Sequence, residues 1–140
     1  MKKLFSHSTT ILLLSIVFLS TTIAAAPTPQ PNATFTLVQG LPAVMQVGES
    51  YTVEIQMTSD IPFVAATALP TAYFPGRYVV AAQGDHSGRG TTATFYVTFT
   101  AKGSTAQLPG GVAPVAVVAG AHYQGGFVVS QRFDFLVAVP

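Results

Sequence analysis

The chain has 140 residues, 8% of them charged, no cysteine, no tryptophan and a formal net charge of +1. Lacking cysteine, it can form no disulfide, thiolate metal site or thiol nucleophile. Beyond residue 26 four basic residues (Arg77, Arg89, Lys102, Arg132) face five acidic ones (Glu49, Glu54, Asp60, Asp85, Asp134). That part therefore carries −1 and lacks the basic footprint that binding a phosphate backbone requires, so nucleic acid is not an expected partner.

Residues 1–26 read as a cleavable signal peptide. Lys2 and Lys3 form a positive start, Ile11 to Leu19 an apolar run, and Ala24-Ala25-Ala26 a small-residue cleavage site. The run is too short for a spanning helix, which needs about 20 apolar residues. No later stretch qualifies, so no integral membrane segment is expected after cleavage. The expected destination is the periplasm or the cell exterior.

Residues 27–32 (Pro-Thr-Pro-Gln-Pro-Asn) predict an extended leader, since proline fixes φ and removes hydrogen-bond donors. From residue 33 onward strands follow one another. Val outnumbers Leu by 16 to 5 beyond residue 26, a β-branched bias that favours strand over helix. Short strands are expected at 35–38 and 44–47, with a turn at Gly48-Glu49. Tyr51 to Thr58 alternates apolar (Tyr51, Val53, Ile55, Met57) with polar, the period of a half-buried strand. Strands are further expected at 63–69 and 78–82. Thr92 to Ala101 alternates again through Phe95, Val97 and Phe99. Pro109-Gly110-Gly111 breaks the chain before a strand at 115–123, and Gly125-Gly126 turns it into a last strand at 127–139. Seven or eight short strands with Gly/Pro punctuation predict an all-β, antiparallel sandwich over residues 33–140.

The segments Val47-Gly-Glu-Ser-Tyr-Thr-Val-Glu-Ile55 and Thr94-Phe-Tyr-Val-Thr-Phe-Thr-Ala101, followed by two closing strands, resemble bacterial immunoglobulin-like modules of exported proteins. The paired cysteines and core tryptophan of antibody-type domains are absent. The resemblance implies an immunoglobulin-like fold and a spacer, adhesive or assembly role. It carries over no site residue.

Chemistry-bearing residues are few. Gln83-Gly-Asp-His-Ser-Gly-Arg-Gly90 gathers Asp85, His86, Ser87 and Arg89, but Ser87 lacks the Gly-x-Ser-x-Gly frame of a nucleophile elbow. A Gly-rich hairpin or crossover loop with solvated side chains accounts for the segment. If it works, it does so by contact through Asp85, His86 and Arg89. Tyr73 and Tyr78 flank Phe74-Pro-Gly76 and could offer a glycan platform, against ordinary packing at a sandwich end. His86, His122, Met45 and Met57 show no metal-ligand spacing, so no metal or cofactor is expected. In the last strand Phe133, Phe135, Val137 and Val139 share one face, while Arg132, Asp134, Leu136 and Ala138 share the other. A strand apolar on both faces is either covered locally, here by residues 27–42, or sits at an edge with a partner. Arg132, Asp134 and Leu136 are therefore the candidate interface. The sequence predicts a non-enzymatic exported module acting through a protein partner or self-association, in adhesion, assembly or an accessory role. A small-ligand or glycan-binding domain using residues 73–90 is the alternative, and a secreted enzyme the third.

Overall fold

A computed structural model describes residues 29–72 and 76–140, without the side chains of Gln83, Asp85 and His86. The expected signal peptide and Tyr73 lie outside the described residues. Seven strands follow in order: β1 (Ala33–Gln39), β2 (Ser50–Ser59), β3 (Ala65–Ala72), β4 (Val79–Arg89), β5 (Thr92–Ala101), β6 (Ala113–His122) and β7 (Val128–Val137). They form a four-stranded sheet in the order β1-β2-β5-β4 and a three-stranded sheet in the order β3-β6-β7, with antiparallel pairings throughout. This is the strand order of immunoglobulin constant-type domains, so the expected all-β sandwich is the observed fold.

The alternation read in β2 and β5 builds the core. Val53, Ile55 and Met57 from β2 and Phe95, Val97 and Phe99 from β5 are almost completely buried. The facing sheet supplies smaller groups: Ala66 and Ala68 from β3, and Ala113, Val115, Val117, Ala119 and Ala121 from β6. Bulk from one sheet fills the space that small side chains leave on the other, as dense packing demands. Phe35 of β1 stacks on Phe95 with ring centroids 6.5 Å apart. Among the described residues, the members of this core run from Ala33 to Val139.

Two buried hydroxyls clamp the sheets at opposite ends. Ser59, at the end of β2, hydrogen-bonds the Tyr123 hydroxyl at 2.8 Å and donates to the Ile61 carbonyl at 2.8 Å. Thr105, fully buried in the β5–β6 connection, donates to the Gly111 carbonyl at 2.6 Å and accepts from the Val139 N–H at 2.8 Å. The Thr105 N–H in turn donates to the Val139 carbonyl, also at 2.8 Å.

Two expectations change. The segment 44–47 forms no strand: only Val44 pairs, in a single parallel bridge to Ala138, before a turn at Gln46–Glu49. There the Glu49 carboxylate accepts from the Gln46 N–H at 2.7 Å, and Gly48 supplies a φ of 91°. The leader is also tied down where it is described. Pro31 is buried, the Asn32 N–H donates to Asp60 Oδ1 at 2.9 Å, and the Asp60 N–H returns a bond to the Asn32 carbonyl at 3.1 Å.

Replacing the Thr105 hydroxyl tests the lower clamp. Thr105→Val leaves the buried Val139 N–H without its acceptor, at an expected cost of about 2 kcal/mol and a Tm lower by roughly 10 °C. Thr105→Ser should recover most of the loss. Equal melting temperatures for Thr105→Val and the parent in circular dichroism would contradict the clamp.

Candidate functional site

The polar segment 83–90 is not a loop. Strand β4 runs through it to Arg89, paired with β5 as far as Arg89↔Thr92, with a register shift between Gln83 and His86. Its glycines have structural causes. A Cβ on Gly84 would stand 2.4 Å from the Tyr96 carbonyl oxygen, and one on Gly88, at φ 148°, 2.3 Å from that of Thr92. Only glycine lets β4 lie this close to β5. Asp85 lies in the register shift, His86 is opposite Phe95, and Arg89 is exposed beside the turn. His86 and Arg89 are three positions apart on one extended strand, roughly 10 Å. The fold therefore places these positions one after another along a single edge strand.

Tyr78 is 7% exposed and belongs to the core, with the Arg77 guanidinium carbon 5.3 Å from its ring centroid. It packs the sandwich and offers no platform face. His122 is exposed at the end of β6, and its carbonyl accepts from the Val64 N–H at 2.8 Å. Met45 and Met57, weighed as metal ligands, are core residues at 0% and 1% exposure. Among the described residues no three His, Asp or Glu side chains gather as a metal site would require. A hollow of about 550 Å³ is lined by Pro29, Pro31, Ile61, Gln124, Gly125 and Phe127, none of them titratable.

The two outer faces of the sandwich differ in character. On the four-stranded sheet hydroxyls pair across strands, Thr52 with Thr98 at 2.9 Å and Ser50 with Thr100 at 2.7 Å, which is ordinary cross-strand stabilisation. The three-stranded sheet presents small and apolar groups in register. Leu69 lies beside Val118 and Arg132, Thr71 beside Ala116 and Asp134, and Pro114 beside Leu136. Leu69 is 56% and Leu136 63% exposed. Leu136 opens onto a hollow of about 230 Å³ lined by Leu108, Pro109, Val112 and Pro114. Of the segment expected as a possible cover, the described residues 29–42 reach β7 at Gly40, which lies beside the Phe135 ring, and leave Leu136 exposed. The three candidate interface residues thus share one outward face of β7, where Arg132 Nε meets Asp134 Oδ1 at 2.7 Å.

Their strand is also an edge, and the four sheet edges are not alike. Edge β1 has a register shift between Leu37 and Gln39, and β4 has one at Gly84-Asp85. Edge β3 contains Pro70, opposite Val117. The Tyr123 N–H bonds the Phe127 carbonyl, so odd-numbered residues of β6 direct their hydrogen-bonding groups at β7. Val117 therefore faces β7, and the Pro70 nitrogen faces the open side of β3, where it cannot donate. Edge β7 has ten residues, no proline, no glycine and an unbroken register with β6. Among the described strands it alone keeps a regular free edge, the feature that strand addition requires. The sequence signal was its second apolar face; the state of the other edges had no signal beyond Pro70 and the glycines.

No protein-family model matches the chain, and no curated protein matches its sequence.

The structural role of the β4 glycines gives a direct check. Gly84→Ala should destabilise the domain by about 2 kcal/mol, because the β4 and β5 backbones must part. Ser87→Ala, at an exposed position, should stay within about 0.5 kcal/mol of the parent in urea unfolding. A neutral Gly84→Ala would return the segment to a solvated loop.

Proposed function

We propose that this protein is an exported, non-enzymatic β-sandwich module that works by protein–protein contact, in an adhesive, assembly or accessory role, through β7 and the outer face beside it. The observation that carries this is the pairing of a regular, unprotected strand edge with an exposed apolar side chain on the same strand. Soluble domains ordinarily interrupt such edges, because free N–H and C=O groups in a row recruit further strands. Here the other three edges are interrupted and β7 is left continuous. Leu136, 63% exposed over a hollow lined by Leu108, Val112 and Pro114, adds apolar area to the same surface. The export step follows from the positive, apolar and small-residue succession of residues 1–26. The position of Asp85, His86 and Arg89 on a single strand supports contact over catalysis, since a catalytic constellation draws its members from separate elements.

Photo-crosslinking in the exporting cell tests the surface. A benzophenone side chain placed at Leu136 should yield a protein adduct. The same group at Gln56, exposed on the opposite sheet, should yield none. Absence of an adduct at Leu136, or equal yields at both positions, would overturn the assignment.

A further inference from the structure

We infer that the partner of β7 is β7 of a second copy, paired antiparallel about a two-fold axis through Phe133. The inference rests on the protein-contact role proposed above and names the occupant of that surface.

Hydrogen-bond parity comes first. The Ala138 N–H bonds the Ala43 carbonyl at 2.8 Å, and the Met45 N–H bonds the Ala138 carbonyl at 2.9 Å, both on the side away from β6. At the other end the Phe127 carbonyl accepts from the Tyr123 N–H, on the β6 side. Even-numbered residues of β7 therefore aim both backbone groups at the free edge, and odd-numbered ones aim them at β6. A second antiparallel strand can bond this edge only by setting even residues opposite even residues. For two identical strands related by a two-fold axis, that condition centres the axis on a residue rather than between two.

Charge then selects the residue. With the axis through Phe133, Arg132 stands opposite the second copy's Asp134, and Asp134 opposite its Arg132. These are two directly opposed, opposite-charge pairs on the outer face. Centring the axis on Arg132 or on Asp134 would set like charges against each other. Arg132 and Asp134 are 59% and 66% exposed and bonded to each other along one strand. Dimerisation exchanges that contact for the two across the interface. The same register sets Ser130 opposite Leu136 and ends there, because Ala43 to Met45 already occupy the edge at Ala138. On the inner side it brings the two Phe133 rings face to face at a non-hydrogen-bonded position, where side chains approach most closely. Phe133 and Phe135 are partly buried and pack against the core, and Gly40 lies beside the Phe135 ring, so Phe133 is the inner residue that the second copy would cover. The product is a continuous six-stranded sheet across two protomers, with the contact isologous and closed, as a two-fold dimer requires.

The charges make the register testable by pairing variants. Arg132→Asp alone and Asp134→Arg alone each oppose like charges twice, so each should weaken self-association about tenfold or more in sedimentation equilibrium of residues 27–140. Mixed in equal amounts, the two variants should form a heterodimer at least as tight as the parent dimer, because each position then meets its opposite. The double exchange Arg132→Asp/Asp134→Arg should dimerise like the parent. Unchanged melting temperatures would show that each variant folds. A parent that stays monomeric at millimolar concentration, or variants that show no preference for each other, would overturn the dimer. The crosslink at Leu136 separates the two failures: an adduct with a different protein together with a monomeric parent retains the contact role and rejects the second copy. No adduct at all rejects both.

Discussion

An open β-sandwich ends in four rows of N–H and C=O groups that no strand of its own can satisfy, and much of this structure answers to that constraint. The register shifts of β1 and β4 break two of the rows, and the Pro70 nitrogen removes a donor from the third. Even the departure of the chain from β1 bears on it. After Gly40 the backbone crosses to the other sheet and bonds Ala138 through Ala43 and Met45, closing the last residues of the fourth edge. What remains open is the body of β7, whose outer face carries Leu136 beside Arg132 and Asp134.

The core permits this because it makes few demands on β7. Apart from Met45, the largest fully buried side chains come from β2 and β5, at the middle of the four-stranded sheet, and the alanines of β3 and β6 fit beneath them. From β7 only Val137 is fully buried, with Val139 just beyond its end, whereas Phe133 and Phe135 are half-covered. The Ser59–Tyr123 and Thr105–Val139 clamps hold the ends of the sandwich. Hence the edge can carry exposed apolar and charged groups without loss to the fold.

Much of the architecture was legible in the sequence. Strict alternation gave away β2 and β5, and Gly125-Gly126 gave away the β6–β7 hairpin, where both glycines have positive φ. The extent of β4 was not legible. Glycines and polar residues in 83–90 have loop character, and their cause is the nearness of the β5 carbonyls, a tertiary fact with no local signal. Tyr78 likewise seemed a loop aromatic because the chain beside it is rich in Pro and Gly, yet it is drawn into the core. Val44 to Val47 has strand composition but meets only the end of β7. At the candidate interface, alternation did place Arg132, Asp134 and Leu136 on one outward face. The direction of the backbone groups could not be read, since it depends on which neighbour each strand bonds.

Residue-resolved hydrogen exchange at low and high protein concentration addresses the β7 edge most directly. At low concentration the amides of Ser130, Arg132, Asp134 and Leu136 should exchange fast, while those of Val129, Gln131, Phe133 and Phe135, bonded to β6, exchange slowly. At high concentration the first group should become protected and the second should not change. Fast exchange of the even-numbered amides at every concentration would contradict a β7 edge that closes on a second copy.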